Sequence, residues 1–165
     1  MIRFHALAVI GSLATLNGIT VSAADPLPTE TFKFLPLTLA VEAAEAAITS
    51  CKAQGYSTTV AIVDRAGTLK VLLAGDGAAV LGRDLGRRKA YTAAIRRVPT
   101  TELAKAIAAP GAFNPTLYDT QLVTAGGGVP IKAGNEVIGG IAVSGRAARR
   151  TKHAPMRAWP RLVIA

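Results

Sequence analysis

The chain has a single cysteine, Cys51, among its 165 residues, so no intramolecular disulfide can form. Histidine and methionine are almost as scarce: His5 and His153, Met1 and Met156. All four lie outside residues 24–145, a stretch that contains neither type. Within it, zinc and copper sites with imidazole ligands are excluded, as are Ser-His-Asp and Cys-His nucleophiles. Long apolar runs are also missing. Beyond Val21 every apolar stretch is interrupted by Gly, Pro or a charge, and a membrane span needs ~20 apolar residues.

The one extended apolar run is at the start. Arg3 and His5 form a short positive region, Ala6 to Val21 is mostly apolar, and Val21-Ser22-Ala23-Ala24 closes it in small residues. This pattern predicts a signal peptide over residues 1–23, cleaved near Ala23 or Ala24. The expected product is periplasmic or secreted, with no stable membrane insertion. Ser12, Thr15 and Asn17 interrupt the run and weigh against a permanent anchor.

The net charge of +9 is unevenly placed. Residues 24–145 carry twelve Lys or Arg against ten Asp or Glu, whereas residues 146–165 carry six Lys or Arg and no acid. The body is close to neutral, so an argument for nucleic acid would rest on the tail alone. No nucleic-acid partner is expected.

Residues 24–36 are Pro-rich and read as an extended lead-in. In residues 37–54, Leu37, Val41, Ala44, Ile48 and Cys51 recur at helical spacing, and Gly55 stands where a C-terminal cap belongs. Cys51 reads as a core residue of that face. Residues 57–64 are rich in β-branched residues. Asp64 to Gly67 supplies turn chemistry, and "TLKVLLA" returns, giving a β-hairpin. A glycine turn and a helix to about Arg97 follow. Pro99 breaks that helix, Thr100 reads as the N-cap of a shorter one, and Pro110 ends it. Residues 111–121 form a loop with a helical turn. Residues 122–145 then read as strand, glycine-rich bend, strand, turn and final strand. The order predicts an α+β fold, an antiparallel sheet of about five strands flanked by α-helices.

Three local features could carry chemistry. "GGGVP" (Gly126, Gly127, Gly128, Val129, Pro130) lacks the Lys-Ser/Thr of a phosphate loop and the following helix of a dinucleotide fingerprint. It reads either as a tight bend packed on a helix or as the lining of a ligand site. In "RRKAYTAA", Lys89 and Thr92 share a helix face, within a run that otherwise resembles a solvated surface. Asp64 and Asp76 sit in turns, where local backbone hydrogen bonds are the ordinary use of a carboxylate. No metal site is expected.

In order, "AIVDRAGTLKVLLAGDGA", "RRKAYTA", "TAGGGVPI" and "GGIAVSG" resemble the HbpS-like haem-binding or haem-degrading family. It is also called the GlcG family and includes the C-terminal domain of PduO-type proteins. The resemblance covers residues 37–145. It implies an oligomeric α+β domain that binds haem or a related small molecule, with haem degradation or redox sensing in some members. It leaves open whether this chain is an enzyme, and it assigns no catalytic residue. Carried over by motif, the expected ligand-binding positions are Asp64, Asp76, Lys89, Thr92, Gly126, Gly127, Gly128 and Pro130. Haem as cofactor requires an axial ligand, and the residues available point to Tyr91 and Tyr118. The alternative is a homo-oligomeric accessory protein that binds a small glycolate- or diol-related metabolite without haem.

The resemblance stops at "VSG". Family members continue into a helix beginning with an Asp-Glu-Ala-Cys-Ala-like segment. Codons for residues 151–160 can be chosen that give such a segment when read one nucleotide earlier. Residues 146–165 are therefore expected to be an out-of-frame tail produced by a single-nucleotide indel near Gly145.

Overall fold

A computed structural model describes residues 30–147 and 163–164. The predicted signal peptide and nearly all of the predicted tail lie outside the described residues. The elements in chain order are α1 (Leu37–Ala53), β1 (Tyr56–Asp64), β2 (Leu69–Ala74), α2 (Leu81–Arg96) and α3 (Thr100–Ile107). A 3-10 turn (Pro115–Leu117), β3 (Gly128–Ala133), β4 (Glu136–Ala147) and β5 (Val163–Ile164) follow.

Four antiparallel strands make the sheet in the order β2-β1-β4-β3, one fewer than expected, and β5 lies parallel to Lys132–Ala133 at the β3 edge. The central pair is β1 with β4, registered from Tyr56 opposite Ala147 to Asp64 opposite Gly139. The missing strand is the one expected at Leu122, where none forms. There, side chains of α2 satisfy the backbone in place of a strand ladder, as described below.

Because side chains alternate along a strand, β1 presents different residues to its two faces. Val60 and Ile62 meet α1, together with Leu35, Val71, Ile131, Ile138 and Ile141. Ala40, Ala44 and Ala47 are the α1 residues in that cluster, and Cys51 one turn further is buried too. α1 ends as its sequence predicts. Gln54 is the cap, and Gly55 takes a left-handed φ of 77° while its N–H donates to the Lys52 carbonyl at 3.0 Å. Ala61 and Val63 point the other way, against Ala90 and Ala94 of α2 and Ala142 of β4.

α2 sits very close to the sheet. Gly82 and Gly86 face Thr59 and Ser144, and a Cβ on Gly140 would overlap the Ala90 carbonyl. The helix ends at Arg96, and Arg97, at φ 59°, turns the chain toward Pro99 and α3. Thr100 is the first residue of α3 and not its cap, because its hydroxyl is engaged elsewhere. Phe32 lies against the β1–β2 turn. The Arg65 guanidinium lies 4.1 Å from the centre of the Phe32 ring and 3.4 Å from Glu136 Oε1. Among the described residues, no helix is long and apolar enough to cross a membrane.

Candidate functional site

α2 carries two adjoining features. The first is a row of side chains that fastens the loop before β3. Arg87 Nη1 donates to Gln121 Oε1 at 2.9 Å, and Arg88 donates to the Thr120 carbonyl. One turn on, the Tyr91 hydroxyl donates to Asp119 Oδ2 at 2.9 Å. Thr92 Oγ1 accepts from the Val123 N–H at 2.9 Å while donating to the Arg88 carbonyl at 2.8 Å. Residues 87 and 91, like 88 and 92, are four apart and share a helix face, so one face holds residues 119–123. Asp119 tightens the same segment through Oδ1, which accepts the Gln121 N–H at 2.8 Å.

Held this way, the loop presents apolar side chains outward. Phe113 and Tyr118 stack with ring centres 5.3 Å apart and planes 19° from parallel. They are 67 % and 78 % exposed, and Leu117 between them is 75 % exposed. Asn114 orders the turn by accepting from the Thr116 N–H at 3.1 Å.

The second feature is Lys89, next along the same helix and only 5 % exposed. Its Nζ donates to the Val143 carbonyl at 3.4 Å, a long contact, and it has no ion pair with any described residue. Burial without a carboxylate partner pushes this amine below its ordinary range. The glycine bend lies against it. A Cβ on Gly127, whose φ is 112°, would stand 3.5 Å from Lys89 Nζ and 2.6 Å from the Val143 carbonyl oxygen. A Cβ on Gly128 would strike the Lys89 carbonyl, and the Gly128 N–H donates to Thr100 Oγ1 at 3.1 Å. Gly126 approaches Thr101. Gly127 and Gly128 let the start of β3 lie against Lys89, at its amine and its carbonyl, while Gly126 lies against Thr101 of α3.

The structure thus gathers Lys89, Gly126, Gly127 and Gly128, and it separates the other expected positions. Asp64 serves the hairpin turn: its Oδ1 accepts the Ala66 and Thr68 N–H groups, both at 2.9 Å. Asp76 is fully exposed and, among the described residues, its carboxylate reaches only Lys52, at 3.9 Å. Thr92 secures the loop at Val123. Pro130 is a strand residue opposite Gly140, in the part of β3 that β5 does not pair with, where a missing donor is tolerated. Sequence reasoning missed Asp119 and misassigned Thr100. An acid two residues before Gln121 was the available signal for an Asx turn.

The donor set for a haem iron can be judged from these contacts. Tyr91 does not suit it. Its hydroxyl is committed to Asp119, and burial, that hydrogen bond and the negative charge all hold the phenol above its ordinary range, against phenolate formation. The corner of Gly67 also abuts its ring. Cys51 is buried in the α1 face of the core. Tyr118 suits it better, being exposed beside Phe113 and Leu117 and having no hydroxyl hydrogen bond among the described residues. Phe113, Leu117 and Tyr118 leave apolar side chains and one phenol exposed on the same loop.

The family model described as "Haem degrading protein HbpS-like" matches residues 35–157. An uncharacterized 15.0 kDa protein in the dhaT-dhaS intergenic region of Citrobacter freundii is 38% identical over 90 residues, which is 51% of this chain and 61% of that protein. The match thus spans less than two thirds of that relative. Among solved structures, a double mutant of Streptomyces reticuli HbpS superposes with a TM-score of 0.63 at 37% identity, covering 74% of this chain and 86% of that one. The PduOC:Heme complex gives a TM-score of 0.63 at 27% identity, covering 70% and 86%.

Proposed function

The chain belongs to the HbpS-like family, and on that premise we propose that it binds haem on the exposed face of loop 111–121, with Tyr118 as the iron ligand. The observation that carries this reading is the stacked Phe113–Tyr118 pair, two large rings left to solvent on a loop that α2 holds in place. Contiguous exposed apolar patches mark ligand-binding or interaction surfaces. Phe113 and Leu117 supply apolar contact, and Tyr118 supplies an oxygen donor. Haem bound there would provide iron redox chemistry, on which degradation or redox sensing would draw. The family relationship and the solved complex of PduOC with heme support the reading.

Export and assembly belong to the same proposal. The apolar run before Ala23 supports passage to the periplasm or exterior. Val80 and Leu81, exposed at the start of α2, support a homo-oligomer. Haemin titration followed in the Soret region tests the binding. A saturable shift is expected, and Tyr118→Phe should weaken it about tenfold or more, the loss of one metal–ligand bond. Absence of any shift in the parent protein overturns the haem reading. An unchanged spectrum in Tyr118→Phe overturns the ligand assignment alone.

A second reading is a small metabolite bound without haem. It is favoured by the donor set, since residues 24–145 hold no His or Met and Tyr91 is tied to Asp119. Isothermal titration against small carboxylates, diols and aldehydes in haem-free protein distinguishes it.

A further inference from the structure

Lys89 takes no part in the haem reading, and its surroundings are unusual for a lysine. Long charged side chains are rarely buried without a partner, yet this one is 5 % exposed with a single long hydrogen bond to the Val143 carbonyl. A purely structural lysine would be expected to end on a carboxylate or on several acceptors. Here the salt bridges of the described residues involve Lys52, Arg65, Arg87 and Arg88, and none reaches Lys89. Against the amine lies Gly127, half-buried and without a side chain.

We propose that Lys89 is a carbonyl-capturing amine, which binds compact aldehydes or ketones as an imine beside the Gly126–Gly128 bend. Burial favours the neutral amine, the form that attacks a carbonyl. Its lone pair forms a C–N bond to the carbonyl carbon while the C=O π pair moves to oxygen. A proton passes from nitrogen to that oxygen, giving a carbinolamine. Loss of the hydroxyl with a second proton releases one water and leaves the C=N bond. No electrons are gained or lost, and no co-reactant is needed. The Val143 carbonyl is placed to accept from the N–H of the amine and of the carbinolamine. The amine faces the side-chain-free Gly127, where a Cβ would stand 3.5 Å from Lys89 Nζ, so only a compact carbonyl compound is proposed as the ligand.

The inference shares no residue with the haem reading, so each can fail alone. The test uses the full chain without haem, with acetaldehyde as probe and sodium cyanoborohydride to reduce any imine to a stable ethylamine, mapped by peptide mass spectrometry at pH 7. Lys89 is expected to be labelled severalfold faster than Lys33, Lys52, Lys70, Lys105 and Lys132, because burial leaves more of its amine neutral. Lys89→Arg, which keeps the charge but cannot form an imine, should lose that fast phase and leave haemin titration unchanged. Labelling of the surface lysines at equal or greater rate than Lys89 overturns the proposal, and that outcome is read from the parent protein alone. A Lys89→Arg variant that retains the fast phase also overturns it.

Discussion

The two faces of the sheet are built on opposite plans. Toward α1, branched aliphatic side chains interdigitate: Leu35, Val60, Ile62, Ile131, Ile138 and Ile141 close over three alanines of the helix. Toward α2 the contact consists of Ala61, Val63, Ala90, Ala94 and Ala142, with glycines at 82, 86 and 140. The first face buries apolar volume. The second brings backbones together and encloses polar groups, namely Thr59, Lys89, Thr92, Thr100 and Ser144. Hydrophobic stabilisation grows with apolar area, so the α1 face contributes most of it. The α2 face gives up area for close approach, and the candidate chemistry is found there.

Four experiments would break or sharpen this contrast. The largest effect is expected from Gly140→Val, whose Cβ would overlap the Ala90 carbonyl; the cooperative thermal transition should be lost, as measured by circular dichroism. Next is Ile62→Ala on the opposite face, fully buried, which should cost about 2–5 kcal/mol in denaturant unfolding. If Ile62→Ala proved as mild as a surface change, the division between the faces would be wrong.

Lys89→Met should act in the other direction, stabilising the fold by about 1–3 kcal/mol at neutral pH, since it removes a buried polar amine that has no ion pair among the described residues. The pH dependence follows from the same cause. The Lys89 amine is lowered in the folded protein from its ordinary 10.5, so over that interval the unfolded chain binds more protons than the folded one. Stability therefore rises with pH from the lowered value up to about 10.5, and the gain is complete above it. The difference between parent and Lys89→Met should shrink across the same window in urea melts. The smallest effect is expected from Tyr91→Phe, which removes one partly buried hydrogen bond to Asp119 and should cost about 1 kcal/mol. Faster amide exchange at residues 119–123 would locate that loss in the loop.

Much of the α1 side was legible in the sequence. The spacing of Val41, Ala44, Ile48 and Cys51 announced the helix, Gly55 its end, and Asp64 to Gly67 the hairpin turn, because each signal is local. The α2 side was legible only in fragments. The stretch from Leu122 has the apolar character of a strand, but the Val123 N–H is taken by Thr92 and the Thr120 carbonyl by Arg88, partners about thirty residues earlier. Thr100 likewise has the chemistry of a cap and uses it on Gly128. The Arg87–Lys89 run resembled a solvated face, and the fold divides it: the two arginines grip the loop while Lys89 turns inward. Side chains that satisfy a distant backbone leave no periodic trace, and this kept the site partly hidden.

The grip of α2 on residues 119–123 also bears on speed and affinity. A loop that must be ordered by its ligand subtracts that ordering free energy from the affinity and delays productive encounters. Here Tyr118 lies immediately before a segment secured at four successive points, and its ring is already stacked on Phe113. A flat ligand arriving at that surface would meet a pre-set shape, so association should be little slowed by rearrangement, and differences among ligands should appear chiefly in how long each one stays.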